Sequence, residues 1–326
     1  MVIRAGIVGG AGYTAGELIR ILIHHPKVKI DFIYSTSNAG NPVSKIHQDL
    51  LGETDLHFTD QIDSAVDVLF LCLGHGNSKI FLGENSFSPA TKIIDLSNDF
   101  RLVKDGFFKG RTFVYGLPEL NSSDIKSSKN IANPGCFATA IQLALLPLAN
   151  AGLICDDVHV NAVTGATGAG NSLSPTTHFT WRDNNFSSYK VFTHQHLDEI
   201  GQSLTQLQAS MSHELFFIPN RGNFSRGIFA STYTKFDGSL EEAKRYYREF
   251  YKNSAFTIVS DEEIHLKQVV NTNKCLLHIK VFKGKILITS AIDNLLKGAS
   301  GQAVQNMNLI FGLDEKTGLQ LKANYF

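Results

Sequence analysis

Val2-Ile3-Arg4-Ala5-Gly6-Ile7-Val8-Gly9-Gly10-Ala11-Gly12-Tyr13-Thr14-Ala15-Gly16-Glu17, continuing through Leu18 to His25 and Pro26, decides how the rest of the chain is read. Val2 to Val8 is a short apolar run of strand type. Residues 9–16 are mostly glycine and small side chains. Glu17 to His25 repeats apolar positions at helical spacing, and Pro26 stops it. A second strand runs from Val28 to Tyr34. Asp67 to Leu73 and Lys92 to Leu96 are further short buried runs, separated by helix-length segments. Such alternation predicts a parallel sheet covered by helices on both faces.

The turn contains Gly6-x-x-Gly9-x-x-Gly12, which is not the G-x-G-x-x-G spacing. Gly9, Gly10, Ala11 and Gly12 allow backbone N–H groups close to a pyrophosphate, with Tyr13 and Thr14 next in line at the helix entrance. An ordinary tight turn is the alternative, and the position at the first strand-to-helix junction favours the dinucleotide. After the second strand comes Ser35-Thr36-Ser37-Asn38, with no carboxylate to repel a ribose 2′-phosphate. The hydroxyls of Ser35 and Ser37 suit that phosphate, so NADP(H) is expected over NAD.

From Val158 the texture changes to longer strands: Val158 to Val163, Leu215 to Pro219, Ile228 to Phe236, Leu276 to Val281 and Ile286 to Ile292. The last two are paired through Lys283-Gly284-Lys285. Helices are expected from Ser239 to Tyr251 and from Gly298 to Phe311. A dinucleotide-type first half is thus followed by an α+β second half with a mixed or antiparallel sheet.

Composition narrows the partners. Of 326 residues, 43% are hydrophobic and 18% charged, and 30 basic side chains balance 30 acidic ones. Nothing in this points to a nucleic acid or a membrane surface. No apolar run reaches bilayer length, and the first residues lack the layout of a signal peptide. Cys72, Cys136, Cys155 and Cys275 are scattered without a CxxC pair, which fits a reduced, cytoplasmic compartment.

Chemistry is expected in three places. Asn133-Pro134-Gly135-Cys136 precedes the helix-prone run FATAIQLALLPLANAG, so the thiol falls at a helix N-terminus, where an anion is favoured. Cys136 is there either a nucleophile of lowered pKa or a buried capping thiol. Asn133 beside it is a substrate-binding candidate. Tyr189 to Glu199 brings together His194, His196, Asp198 and Glu199. No third ligand is near the H-x-H pair, so no metal is expected. Histidine is the commonest general acid/base, and Glu199 shares a helical face with His196. Solvated histidines at a surface cap are the plainer alternative. Arg101 and Arg226 are candidate anion clamps, and Arg101 can equally pair with Asp95 or Asp99. Residues 164–170, TGATGAG, approach a substrate or form a flexible loop. His47, His57 and His213 read as solvated surface residues.

Together, GIVGGAGYTAGELIRIL, IDLSNDFRL, YGLPELN, ANPGCFATA, HQHLDEI and DNLLKGASGQAVQNMNLIFG give the chain, over nearly its whole length, a sequence that resembles the N-acetyl-gamma-glutamyl-phosphate reductase family. Aspartate-semialdehyde dehydrogenase, of the same wider group, matches several of these stretches poorly. The resemblance implies an α/β fold, with a Rossmann-type NADP-binding domain at 1–136 completed by 301–326. Residues 137–300 would be an α+β substrate-binding and dimerisation domain with a mixed sheet, in a homodimer or homotetramer. It also implies an activity in arginine biosynthesis: Cys136 attacks an acyl phosphate, and NADPH reduces the thioester to a semialdehyde. His196 would be the general acid/base, with His194 and Glu199 positioning it or the substrate; the two histidines can exchange roles. Arg101 would hold the phosphate and Arg226 a substrate carboxylate. Alternatives are a sibling acyl-phosphate reductase, acting on aspartyl or aminoadipyl phosphate, or a non-catalytic NADP(H)-sensing protein.

Two loops depart from the family pattern. Thr167-Gly168-Ala169-Gly170-Asn171 stands where the family usually has Ser-Gly-Ala-Gly-Arg, and Ile218-Pro219-Asn220-Arg221-Gly222 where it tends to have Pro-His-Leu. These departures raise a different N-acyl group, such as N-succinyl, whose extra carboxylate would use Arg221.

Overall fold

Apolar β-branched runs build the frame of the first unit of the chain, seen in a computed structural model that describes residues 2–325. This unit comprises Met1–Gly135 with Ala299–Gln320, and the second comprises Cys136–Gly298 with Leu321–Phe326. In the first unit lie β1 (Ile3–Val8), α1 (Tyr13–Leu22), β2 (Val28–Tyr34), β3 (Phe58–Thr59), β4 (Val68–Leu71), α2 (Asn77–Glu84), β5 (Lys92–Asp95), β6 (Phe107–Phe108), β7 (Arg111–Tyr115), α3 (Pro118–Ser127) and β8 (Asn130–Ala132). The strands form one sheet in the order β3-β2-β1-β4-β5-β8-β7-β6. Every neighbouring pair is parallel except β6 with β7. Because β1 is flanked by β2 and by β4, the winding reverses at its end, where open α/β sheets bind ligands. α1 begins at Tyr13 rather than Glu17 and is over by Leu22. Gly12 is extended and serves as its cap, and Gly16 is tolerated because the ring of His47 fills the space a side chain would need.

The second unit opens with α4 (Cys136–Asn150), then β9 (Val158–Thr164), α5 (Phe179–Arg182), β10 (Ser187–Ser188), α6 (His196–Leu207), β11 (Leu215–Arg221), β12 (Ile228–Lys235), α7 (Leu240–Tyr251), β13 (Thr257–Ser260), β14 (Cys275–Phe282) and β15 (Lys285–Ile292). Its sheet runs β10-β11-β9-β12-β15-β14-β13 and is mixed. β9 pairs in parallel with β11 and antiparallel with β12. α4 is apolar all round and buried from Phe137 to Ala149, as a central helix must be. Pro147 inside it cannot donate to the Leu143 carbonyl. The Tyr251 hydroxyl donates there instead at 2.5 Å, and Tyr247 donates to the Ala144 carbonyl at 2.5 Å. α7 is thereby locked onto the helix that carries Cys136.

After β15 the chain returns to the first unit as α8 (Gly301–Ile310), which is buried although rich in amides. Asn306 donates to the Gly116 carbonyl at 2.8 Å, and Asn308 donates to the carbonyls of Glu315 and Thr317. From Leu321 onward the tail groups with the second unit, not with the first as the sequence reading has it. The reason is local bonding. Asn324 N–H donates to the Val270 carbonyl at 3.1 Å, and the Asn271 amide donates to the Lys322 carbonyl at 3.2 Å. No helix among the described residues is long and apolar enough to cross a membrane.

Candidate active site

In the first unit the glycine turn is shaped by its own backbone. Gly9 sits at φ +80°, and a side chain on Gly10 would meet Ile33 Cγ2 at 2.4 Å, so neither tolerates another residue. Both N–H groups donate to the Tyr34 carbonyl, at 3.2 and 3.0 Å. They tie the turn to β2, which leaves anion binding to the opening of α1, at Tyr13 and Thr14. His47 corrects the sequence reading. It is 8% exposed, and its Nε2 lies 2.7 Å from the Gly10 carbonyl oxygen. Ser300 donates to the Thr14 carbonyl at 2.7 Å. The turn is therefore held by two residues remote in sequence. A pyrophosphate fits this cradle, because the glycines keep side chains out and the dipole of α1 favours negative charge.

Ser35 and Ser37 follow β2 as expected. The Asn38 amide donates to both hydroxyl oxygens, at 3.2 and 3.0 Å. With their oxygens accepting from Asn38, both hydroxyls keep a proton to donate, which suits a phosphate. Cys72, just after β4, is partly exposed as a residue, yet desolvation is the chief cause pushing its thiol up to about 12, so it stays protonated near neutral pH.

Arg101 and Asn133 are structural neighbours within the first unit. Arg101 is buried, and its Nε donates to the Asn133 carbonyl at 2.9 Å and Nη2 to the Leu96 carbonyl at 3.2 Å. The acids near it in sequence have other work: Asp99 accepts from the N–H groups of Gly76 and Lys79, and Asp95 from Ser78 and Ser97. Asn133, expected to bind substrate, has both ends of its amide engaged. It donates to the Ala299 carbonyl at 3.1 Å and accepts from Asn306 at 3.1 Å. Its place is to hold the Asn133-Pro134-Gly135 turn.

In the second unit Cys136 is the first residue of α4 and partly exposed. The N-terminal dipole favours its thiolate. A side chain at Gly298 would come within 2.8 Å of Cys136 Cβ, so glycine keeps that approach open. The next residue, Phe137, packs edge-on against His194 at 5.6 Å and His196 at 6.4 Å between ring centres. Both histidines are buried, not solvated. His194 Nδ1 accepts the His196 backbone N–H at 3.2 Å, so it caps the entrance to α6. Burial, and secondarily Lys190, lowers its pKa to about 4, which keeps it neutral. A group so hard to protonate is a poor proton carrier. His196 differs: its Nε2 lies 3.8 Å from Glu199 Oε1, with both side chains buried. Left-handed backbone at Lys190 and Phe192 leads into this segment.

Tyr189 adds to the group without having been singled out in the sequence. Its hydroxyl is pushed up to about 12, first by burial and then by the negative charge of Cys136, with Arg221 opposing. It remains a protonated donor near the thiol. Arg221 lies over its ring at 4.7 Å. Arg226, by contrast, is not arranged as a clamp. Its Nε and Nη2 are both 3.0 Å from Asp293 Oδ2, and that carboxylate is fully buried. The pair is structural, because Asp293 also accepts from Asn271, Leu295 and Leu296. Residues 164–170 form a braced turn, with Thr167 donating to the Ser225 carbonyl at 2.6 Å and accepting from Asn294 at 3.0 Å.

Comparison with known proteins identifies two family domains in the chain. Residues 4–128 match the semialdehyde dehydrogenase NAD binding domain, and residues 136–294 the semialdehyde dehydrogenase dimerisation domain. In solved structures the chain is similar to aspartate semialdehyde dehydrogenase II of Vibrio cholerae, with a TM-score of 0.74 at 15% identity, covering 96% of this chain and 99% of that one. The NADP-bound aspartate semialdehyde dehydrogenase of Candida albicans gives 0.68 at 15% identity, over 95% and 99%. At such identities the likeness shows the fold. Closer in sequence are two proteins named N-acetyl-gamma-glutamyl-phosphate reductase. That of Christiangramia forsetii is 68% identical and that of Flavobacterium johnsoniae 62%, each over 99% of this chain and 100% of the relative. With its mixed α/β architecture and a thiol at the head of α4, the chain belongs to the N-acetyl-gamma-glutamyl-phosphate reductase family, within the semialdehyde dehydrogenases.

Proposed function

We propose that the protein reduces N-acetyl-γ-glutamyl phosphate, or a close N-acyl analogue, to the N-acylglutamate semialdehyde with release of phosphate, as a cytoplasmic step of arginine biosynthesis. The observation that carries this reading is the thiol at the head of α4, with His196, itself beside buried Glu199, packed against the adjacent Phe137.

His196 takes the thiol proton, and Glu199 holds the imidazole oriented. Cys136 Sγ attacks the acyl carbon; the C–S bond forms, the C–O bond to phosphorus breaks and phosphate leaves. NADPH, when bound, supplies the hydride that reduces the thioester carbon. His196 returns its proton to the oxygen as the thiohemiacetal forms. Collapse returns the hydroxyl proton to His196, sends the C–S electron pair back to sulfur and frees the aldehyde. His194 acts by holding the backbone of His196, and Arg101 supplies positive charge for the phosphate. Tyr13 and Thr14 would hold the pyrophosphate, with Gly9, Gly10, Ala11 and Gly12 keeping side chains out of its way, and Ser35 and Ser37 would meet the 2′-phosphate, which favours NADP(H) over NAD.

Self-association is part of the proposal. The outward face of the second sheet stacks His159 against Phe216 at 5.3 Å and against Tyr233 at 5.0 Å, an apolar surface suited to a second copy. Four cysteines outside any disulfide support a reduced compartment.

The test runs the reaction backwards: N-acetylglutamate semialdehyde, phosphate and NADP+ are mixed with the enzyme and NADPH is followed. Phosphate-dependent turnover, with kcat/KM at least about 100-fold above that for aspartate semialdehyde, is expected. A preference for aspartate semialdehyde would sink the assignment.

A further inference from the structure

We infer that Arg182 and Arg221 form a carboxylate-binding subsite that receives a carboxylate of the substrate beside Cys136, an assignment that rests on the acyl-phosphate reading above. Arg182 is 7% exposed, yet every other residue from 171 to 186 is at least partly open to solvent. Its Nη2 donates to the Asn185 carbonyl at 3.0 Å, while Nε and Nη1 are shielded from solvent without a hydrogen-bond partner. Arg221 ends β11, opposite Ser187 of β10, with its guanidinium over Tyr189 and its own Nε buried and unsatisfied. Neither arginine pairs with a carboxylate among the described residues.

Asn185, which Arg182 holds, lies two residues before Ser187, the β10 residue paired with Arg221. Burial, and then the charge of Arg221, pushes the Arg182 guanidinium below its ordinary range. Like charges held together with donors dry and unused are costly unless something anionic joins them. The missing group is planar and bidentate by the shape of its donors, which a carboxylate matches. Tyr189 links this pair to the chemistry, because its hydroxyl senses both Arg221 and the Cys136 anion. Arg226 is already neutralised by Asp293, so these two are the better counter-charges for a substrate carboxylate.

Two carboxylates fit this chemistry: the α-carboxylate that every N-acylglutamyl substrate carries, and the terminal one of a dicarboxylic acyl group such as succinyl. The experiment measures kcat/KM for N-acetyl- and N-succinyl-γ-glutamyl phosphate with wild type, Arg182→Met, Arg221→Met and Arg221→Lys. A loss of about 10- to 100-fold, mostly in KM, is expected in the Met variants. Equal loss with both substrates assigns the α-carboxylate. Loss confined to the succinyl substrate assigns the acyl carboxylate. The Lys variant, which keeps charge without the fork, recovers part of the loss. A second measurement needs no turnover and so stands apart from the acyl-phosphate reading: alkylation of Cys136 by anionic iodoacetate against neutral iodoacetamide. The iodoacetate-to-iodoacetamide rate ratio is expected to fall about tenfold in the Met variants. Unchanged kcat/KM for both substrates, or an unchanged alkylation ratio in folded variants, overturns the subsite.

Discussion

Two helix entrances do opposite work with the same backbone physics. At α1 the chain arrives through Gly9 and Gly10, and the first helical residues, Tyr13 and Thr14, bring no nucleophile. At α4 it arrives through Pro134 and Gly135, and the first helical residue is Cys136. Both entrances present the positive end of a helix dipole. In the first, that field suits a bound anion. In the second, it lowers the cost of making an anion from the protein itself. On the proposed function, the side chain at the first helical position separates cofactor binding from catalysis. Cys72, which opens no helix, makes the contrast, because desolvation holds its thiol protonated.

The sharpest way to break the comparison is to remove sulfur from the second entrance. Cys136→Ser is expected to cut turnover by more than about 10³-fold, while NADP(H) affinity by fluorescence titration stays at the wild-type value. Next, His196→Gln is expected to lower kcat by about 10² to 10⁴-fold, with Glu199→Gln falling less, in steady-state assays across pH. Equal effects from His194→Gln and His196→Gln would undo the separation of their roles. At the first entrance, Gly10→Ala forces a methyl against Ile33 and Phe58, and is expected to cost about 1–3 kcal/mol of stability and weaken cofactor binding. His47→Ala removes the partner of the Gly10 carbonyl and the ring packed against Gly16, so about 1–2 kcal/mol is expected by denaturant titration.

The smallest effect is visible only in acid. The folded-state pKa of His194, about 4, lies below the ordinary 6.5, so the unfolded chain binds the proton first. Its contribution to stability is full above pH 6.5 and is lost as pH falls from there towards 4. His194→Gln is expected to flatten that part of the stability profile. A steeper profile in the variant would show that His194 is charged in the folded protein.

Local features were legible in the residues themselves. The glycine turn, the Pro-Gly-Cys corner and the HQHLDEI segment each carry their meaning within a few positions, and each lands at the end of a strand or the start of a helix. What eluded sequence reading depends on distant partners. His47 looks solvated until the turn folds beneath it, 37 residues away in the chain. Arg226 looks like an anion clamp until Asp293, 67 residues on, neutralises it. Asn133 looks available until α8 returns to take its amide. Arg182 stands in a stretch with no motif, and only its burial without an acid marks it. Single side chains show type and spacing, whereas their remaining bonding capacity appears only in the folded chain.

The central claim is that Cys136 carries the acyl group between phosphate release and reduction. The direct measurement mixes wild-type enzyme with acyl phosphate in the absence of NADPH, then records released phosphate and the mass of the peptide containing Cys136. About one phosphate per active site and a matching hydroxylamine-labile acyl adduct on Cys136 are expected. No adduct and no phosphate burst, in enzyme that turns over normally once NADPH is added, would contradict the account.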